Sequence, residues 1–314
     1  MIHPLQRLAG LLIASLALLV GWSYAPDRPV QALVARWAPP PSDFIELDGQ
    51  LVHLRDEGRR DDPLPIVLLH GTGASLHTWQ GWSATLRSRH RVISVDLPGF
   101  GLTGPNANGD YRGDTYARFA LRLMDALKIH RFVLAGNSLG GEVAWRTAAM
   151  APQRVARLIL IDASGYAFQP ENPPVWLALA RLPGISHLVG WLTPRWLVER
   201  SVRRAYGDPS KVTSELVDRY HELTLREGNR RALAQRLQQL EPGVHANRIA
   251  TLRLPTLILW GGRDRLETPH HARRFQHDIP GSRLVIFDDL GHLPHEEGPS
   301  RTVQAAQAFL AAPE

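Results

Sequence analysis

Cysteine is absent from all 314 residues, which excludes disulfides, a thiol nucleophile and any cysteine-held zinc or iron–sulfur centre. That absence leaves the compartment open, because many exported proteins also lack cysteine. Lysine is nearly absent too. Lys128 and Lys211 are the only two, so the net charge of +6 is an arginine charge. Uninterrupted basic runs are missing: the densest clusters, Arg200–Arg204 and Arg226–Arg236, are broken by neutral and acidic residues. With no groove-reading motif either, the arginines read as a solvated surface, and nucleic acid is not expected as a partner. Internal repeats are lacking, and a composition of 44% hydrophobic and 21% charged residues excludes disorder for most of the length.

What is present begins with an apolar run. Leu8–Ala25 (LAGLLIASLALLVGWSYA) carries no charge, and at about 1.5 Å per helical residue it just reaches across a hydrocarbon core of about 30 Å. Trp22 and Tyr24 suit the interfacial belt at its far end. A buried core helix would show a polar face, which this run lacks. Residues 1–25 are therefore expected to be an uncleaved membrane anchor, with Arg7 on the near side and the rest of the chain exported. The alternative is a signal removed after Ala25 or Ala32, giving a secreted protein. Residues 26–43 read as a linker, a short amphipathic segment closed by Pro39–Pro41 that rests on the membrane surface or on the domain.

From Phe44 onward, short apolar runs alternate with helical patterns. IVLLH (66–70), VISVD (92–96), FVLAGN (132–137), RLILIDA (157–163), TLILWGG (256–262) and RLVIFDD (283–289) are nearly continuous hydrophobic strands. Strands that read this way are buried on both faces, as in a parallel sheet covered by helices. FIEL and LVHL around Gly49 predict a leading antiparallel hairpin, and 114–127, 139–150 and 299–311 predict helices. The fold class is α/β, with reactive groups expected beyond the carboxyl ends of the strands. Residues 165–250 hold no convincing strand and carry Trp176, Trp191 and Trp196. They read as a helical cap inserted into a core made of 44–164 and 251–314, with an independent helical domain as the alternative.

One constellation carries chemistry. Gly136-Asn137-Ser138-Leu139-Gly140 is G-x-S-x-G between a predicted strand and a predicted helix, the setting that makes this motif a nucleophile elbow. Serine needs a base. His292, in Asp289-Leu290-Gly291-His292 after the last strand, is the candidate, with His295 as competitor. The base needs a carboxylate to hold its tautomer. Asp264, in WGGRD just beyond a strand, fits, and Asp162 at another strand end is the alternative. The Leu139 N–H and the Thr72 N–H of His70-Gly71-Thr72-Gly73 would hold a tetrahedral oxyanion. His70 reads as a structural histidine tying loops together. No cofactor and no metal is called for.

HGTG, VDLPGFG at 95–101, GNSLGG, WGGRD and GHLPHEEGP together resemble the α/β-hydrolase family over about residues 44–312, on its serine-hydrolase, esterase- and lipase-like branch. The resemblance implies the α/β-hydrolase fold, with Ser138, Asp264 and His292 as triad, Thr72 and Leu139 as oxyanion hole, and Asp96 as a structural residue. Serine at 138 speaks against haloalkane dehalogenases and epoxide hydrolases, which place aspartate there. The expected function is hydrolysis of carboxylic esters of apolar small molecules or lipids through an acyl-enzyme. The alternatives are a meta-cleavage-product C–C hydrolase, against which Leu293 stands where that group commonly has tryptophan, and a non-catalytic binding module. The cap tryptophans would either line an acyl pocket or pack the cap's own core. Oligomeric state is not legible.

Overall fold

The computed structural model describes residues 25–167 and 193–312. β1 (Ser42–Leu47) and β2 (Gln50–Gly58) form the expected antiparallel hairpin. Asp48 and Gly49, both with positive φ, make a two-residue turn whose twist matches the strands. Then follow β3 (Ile66–Leu69), β4 (Arg91–Val95), β5 (Phe132–Asn137), β6 (Val155–Ile161), β7 (Thr256–Gly261) and β8 (Arg283–Phe287). The spatial order is β1-β2-β4-β3-β5-β6-β7-β8, with β3 to β8 mutually parallel and β2 antiparallel to its neighbours.

Alternate side chains of each central strand enter opposite layers. Val67 and Leu69 join one core with Leu134, Leu158 and Trp260; Ile66 and Leu68 join the other with Val133, Ile159 and Leu257. The helices Gly113–Ala126, Leu139–Met150 and Pro269–Asp278 cover the first layer. Gln80–Leu86 and Pro299–Leu310 cover the second. Both faces being buried is why the strands lack a polar alternation. The order reverses between β3 and β5, because the chain leaves β3 towards β4 on one side and returns to β5 on the other. A crevice outside the carboxyl ends of the strands is expected at that reversal, and it is there that the loops carrying Thr72 and Ser138 lie side by side.

The described part of the inserted segment is helical: Arg195–Ala205, Ser214–Thr224 and Asn229–Gln238. Val202, Tyr206, Val217 and Tyr220 form a small core with Ala74 and Leu293, which lie outside the inserted segment. Trp176 and Trp191 lie outside the described residues, and Trp196 is 49% exposed.

The stretch read as a linker is a docked arm. Gln31–Trp37 is a helix whose Leu33 and Trp37 pack on Leu102 and Leu223. Trp37 Nε1 donates to Glu222 at 2.7 Å, and Arg28 N–H donates to the Leu225 carbonyl at 2.7 Å. Among the described residues no helix is long and apolar enough to cross a membrane. The anchor expected at residues 1–25 lies outside them, save for Ala25.

Candidate active site

Ser138 stands between β5 and the helix Leu139–Met150 at φ 52° and ψ −115°. A non-glycine residue held there is strained by about 1–3 kcal/mol and persists only when its surroundings over-determine it. They do. Ser138 N–H donates to the Ile161 carbonyl at 3.1 Å, and its own carbonyl accepts from Glu142 and Ser164. The flanking glycines follow from the same crowding: a Cβ on Gly136 would stand 2.1 Å from the Gly140 carbonyl oxygen, and one on Gly140 2.1 Å from that of Leu69. Gly71 lets the loop after β3 approach, since its Cβ would lie 3.1 Å from Ser138 Cβ.

His292 follows β8 and is buried. Its Nδ1–H donates to Asp264 Oδ2 at 2.7 Å. Asp264 Oδ1 in turn accepts from the N–H groups of Leu266 and Glu267, at 2.7 and 3.0 Å. This fixes the tautomer with Nε2 free to accept a proton. Burial disfavours the imidazolium, but the Asp264 charge and hydrogen bond, with Glu267 beyond, outweigh it and raise the His292 pKa above its ordinary value. Asn137 joins the two halves of the site: its Nδ2 donates to the Ile161 carbonyl at 3.2 Å and to the His292 carbonyl at 3.0 Å. Ser138 Oγ and His292 Nε2 are not hydrogen-bonded to one another, a bond that in such sites often tightens only around substrate. The N–H groups of Leu139, first in its helix, and Thr72, on the exposed loop after β3, donate to no group among the described residues.

The rival candidates lie elsewhere. His295 is fully buried against Trp79, with ring centroids 4.2 Å apart, and its Nε2 meets Thr78 Oγ1 at 2.9 Å. Burial lowers its pKa to about 3, which leaves a neutral ring packed below the site. His70 Nδ1–H donates to the Gly71 carbonyl and Nε2 accepts from Leu97 N–H, so it ties two loops. Asp96 accepts from Leu76 N–H, Leu102 N–H and His53 Nδ1 at 2.7–2.8 Å. Although burial opposes its charge, His53 and its neighbours hold it well below the usual carboxylate range. Asp162 is buried beside Asp264 rather than directed at the ring as its main partner. Asp162, Asp264 and His292 each offer a ligand atom within 4.8 Å of the others. Asp264 is already committed to His292 and two backbone amides, which leaves the trio short of the free carboxylate oxygens that an open cation cage needs.

Two residues escaped the sequence reading. Asn137 is one. Glu297 is the other: its carboxylate accepts from the N–H groups of Gly207, Asp208 and Gly291 at 2.8–2.9 Å. His292 N–H also donates to the Ala205 carbonyl at 2.7 Å. The loop bearing the candidate base is thus laced to the end of the helix Arg195–Ala205. Glu297 sits in an ordinary acidic stretch, HEEG, and no spacing distinguished it. Asn137 lay inside the elbow motif but at its variable position.

A mostly parallel sheet carries a strained serine at the end of its fifth strand, and Asn137 beside that serine is hydrogen-bonded to the backbone of a histidine that is paired with an aspartate after the seventh strand. The chain belongs to the alpha/beta hydrolase family, whose model matches residues 66–305. It is 30% identical over 272 residues to the dihydrolipoyllysine-residue acetyltransferase component of the acetoin cleaving system of Pseudomonas putida, covering 84% of this chain and 68% of that protein. It is 27% identical to a 2-hydroxy-6-oxononadienedioate/2-hydroxy-6-oxononatrienedioate hydrolase of a Pseudomonas species, covering 86% and 96%. Among solved structures it resembles a thermophilic esterase from Thermogutta terrifontis, with 26% identity, a TM-score of 0.72 and coverage of 86% of this chain and 97% of that one.

Proposed function

We propose that this chain is a serine hydrolase that cleaves carboxylic esters of apolar small molecules or lipids, held at a membrane by Leu8–Ala25 with its hydrolase domain exported. His292 Nε2 takes the Ser138 proton as Oγ attacks the ester carbonyl. The N–H groups of Thr72 and Leu139 receive the oxyanion, and Asp264 stabilises the imidazolium. The proton then passes to the leaving alcohol, and His292 activates water to release the acid. What carries the reading is the Asn137 side chain, which ties the base's backbone to the turn that strains Ser138. An apolar substrate is supported by the apolar side chains of Ala74, Phe100, Leu223 and Leu233, which border a small crevice beside the loop after β3.

The test is labelling with a fluorophosphonate and release of p-nitrophenol from an acyl-chain series. Wild-type protein is expected to label and turn over, and Ser138→Ala to lose both, with kcat down by about 10⁴-fold or more. Full activity in Ser138→Ala would overturn the reading. C–C hydrolysis is the second reading, favoured by the 2-hydroxy-6-oxononadienedioate hydrolase relative. Against it, Leu293 packs into the cap's apolar cluster where the C–C hydrolases commonly have tryptophan. Turnover of a vinylogous 1,5-diketone with little esterase activity would decide for it.

A further inference from the structure

Asp162 has no part in the chemistry above, yet it is fully buried at the end of β6 with φ 43°, a conformation that non-glycine residues rarely adopt. Its Oδ1 accepts from Gly261 N–H at 2.9 Å, while its Oδ2 is buried with no hydrogen-bond donor among the described residues. One of its oxygens, one of Asp264 and a ring nitrogen of His292 lie within 4.8 Å of each other. Two ionised carboxylates at such a separation repel strongly and have only acceptor atoms to offer one another. A proton on one of them removes both penalties.

We propose that Asp162 and Asp264 form a buried pair that holds one proton between them and presents a single negative charge to His292, with Asp162 as the positioning residue. The proton resides on Asp162. Asp264 accepts three donors, from His292, Leu266 and Glu267, whereas Asp162 accepts one, so charge is better solvated on Asp264. Burial first, and then the Asp264 charge, push the Asp162 pKa well above the carboxylate range, in agreement with that placement. The other titratable group that acts on Asp162 is Glu267, whose Oε2 is engaged by His271 Nδ1 at 2.7 Å; His295, which acts on His292, is kept neutral by burial. When His292 becomes an imidazolium during acylation, the proton on Asp162 stays where it is, and the ring faces one anion rather than two.

The proposal rests on His292 being the base, but part of its test needs no turnover. The infrared band of a protonated carboxyl is expected in wild-type protein at pH 7 and is expected to vanish in Asp162→Asn, a residue that tolerates positive φ. In the pH profile of kcat/KM, Asp162→Asn is expected to keep the acid limb within about 0.3 unit, since a neutral amide replaces a neutral acid. A missing band, with the limb falling by about one unit or more, would mean that Asp162 is ionised and would overturn the proposal. In Asp264→Asn, Asp162 is expected to release its proton and supply the charge, limiting the loss to about 10²-fold, whereas Asp162→Asn/Asp264→Asn together fall by about 10⁴-fold, as when a triad aspartate has no substitute. Equal rates in Asp264→Asn and the double variant would also overturn it. So would loss of activity on chelation that a divalent cation restores, since the trio would then be a cation site. If wild-type protein fails to react with fluorophosphonate, the serine-hydrolase reading falls while the infrared result still stands.

Discussion

Gly101 shows how one missing side chain supports a buried charge. It holds φ +52°, and a Cβ there would stand 2.1 Å from the Asp96 carboxyl carbon. Gly101→Ala is expected to cost about 3 kcal/mol, from strain at positive φ and displacement of Asp96 from its three donors. An unchanged urea midpoint would refute this. His292 carries the pH dependence of the proposed reaction. Its pKa is raised and it must be neutral to act, so kcat/KM is expected to reach half its plateau above pH 6.5, the ordinary histidine value. An acid limb centred at or below pH 6 would contradict it. The sequence singled out Ser138, His292 and Asp264 as candidates because each stands in a short local motif. It left Asp162 open because two aspartates at neighbouring strand ends look alike until their hydrogen bonds are seen.

At the scale of elements, the loop bearing His292 and the end of the helix Arg195–Ala205 are one hydrogen-bonded unit. Glu297 accepts from two cap-junction amides and from Gly291 next to His292. A Cβ on Gly291 would lie 2.4 Å from the Ala205 carbonyl oxygen, so the two segments touch backbone to backbone. Glu297→Ala strands three amides and is expected to lower stability by about 2–4 kcal/mol, taking about 1–3 kcal/mol for each unsatisfied buried group less what water recovers. It is also expected to lower kcat more than it raises KM. Faster hydrogen exchange at residues 289–293 would locate the effect, and unchanged exchange there would refute the coupling. Sequence reading found the elements on both sides of this seam from periodicity, but the seam is made by amides, which carry no sequence signal.

For the whole molecule, acid stability follows from buried histidines. Burial holds the pKa of His77 and of His295 down at about 3. A base with a folded pKa below its unfolded value contributes stability above pH 6.5 that is lost as pH falls towards 3. Asp96, depressed in the folded state, adds a loss only below about pH 3.8. His292, being raised, acts oppositely: its contribution is complete below pH 6.5 and fades as pH rises through its folded pKa. Stability is thus expected to decline from pH 6.5 downward, and less steeply in His295→Gln; identical slopes in urea titrations would argue against this. Removing residues 1–24 is expected to release the protein from membranes while leaving hydrolysis of water-soluble esters within about twofold, because the arm from Arg28 to Trp37 stays docked on the cap. Sedimentation of the truncated chain with membranes would sink the anchor.

The sequence by itself determined the order of strands and helices, the doubly buried sheet and the serine elbow, because these rest on hydrophobic period and on turns that only glycine tolerates. Tertiary structure alone separated Asp264, which the sequence favoured, from Asp162 as the partner of the histidine, buried His295 against Trp79, and set the stretch before β1 on the protein rather than on a membrane surface. Those outcomes depend on the direction of side chains across strand ends far apart in the chain. Local composition does not encode that direction; the packing of the whole sheet sets it.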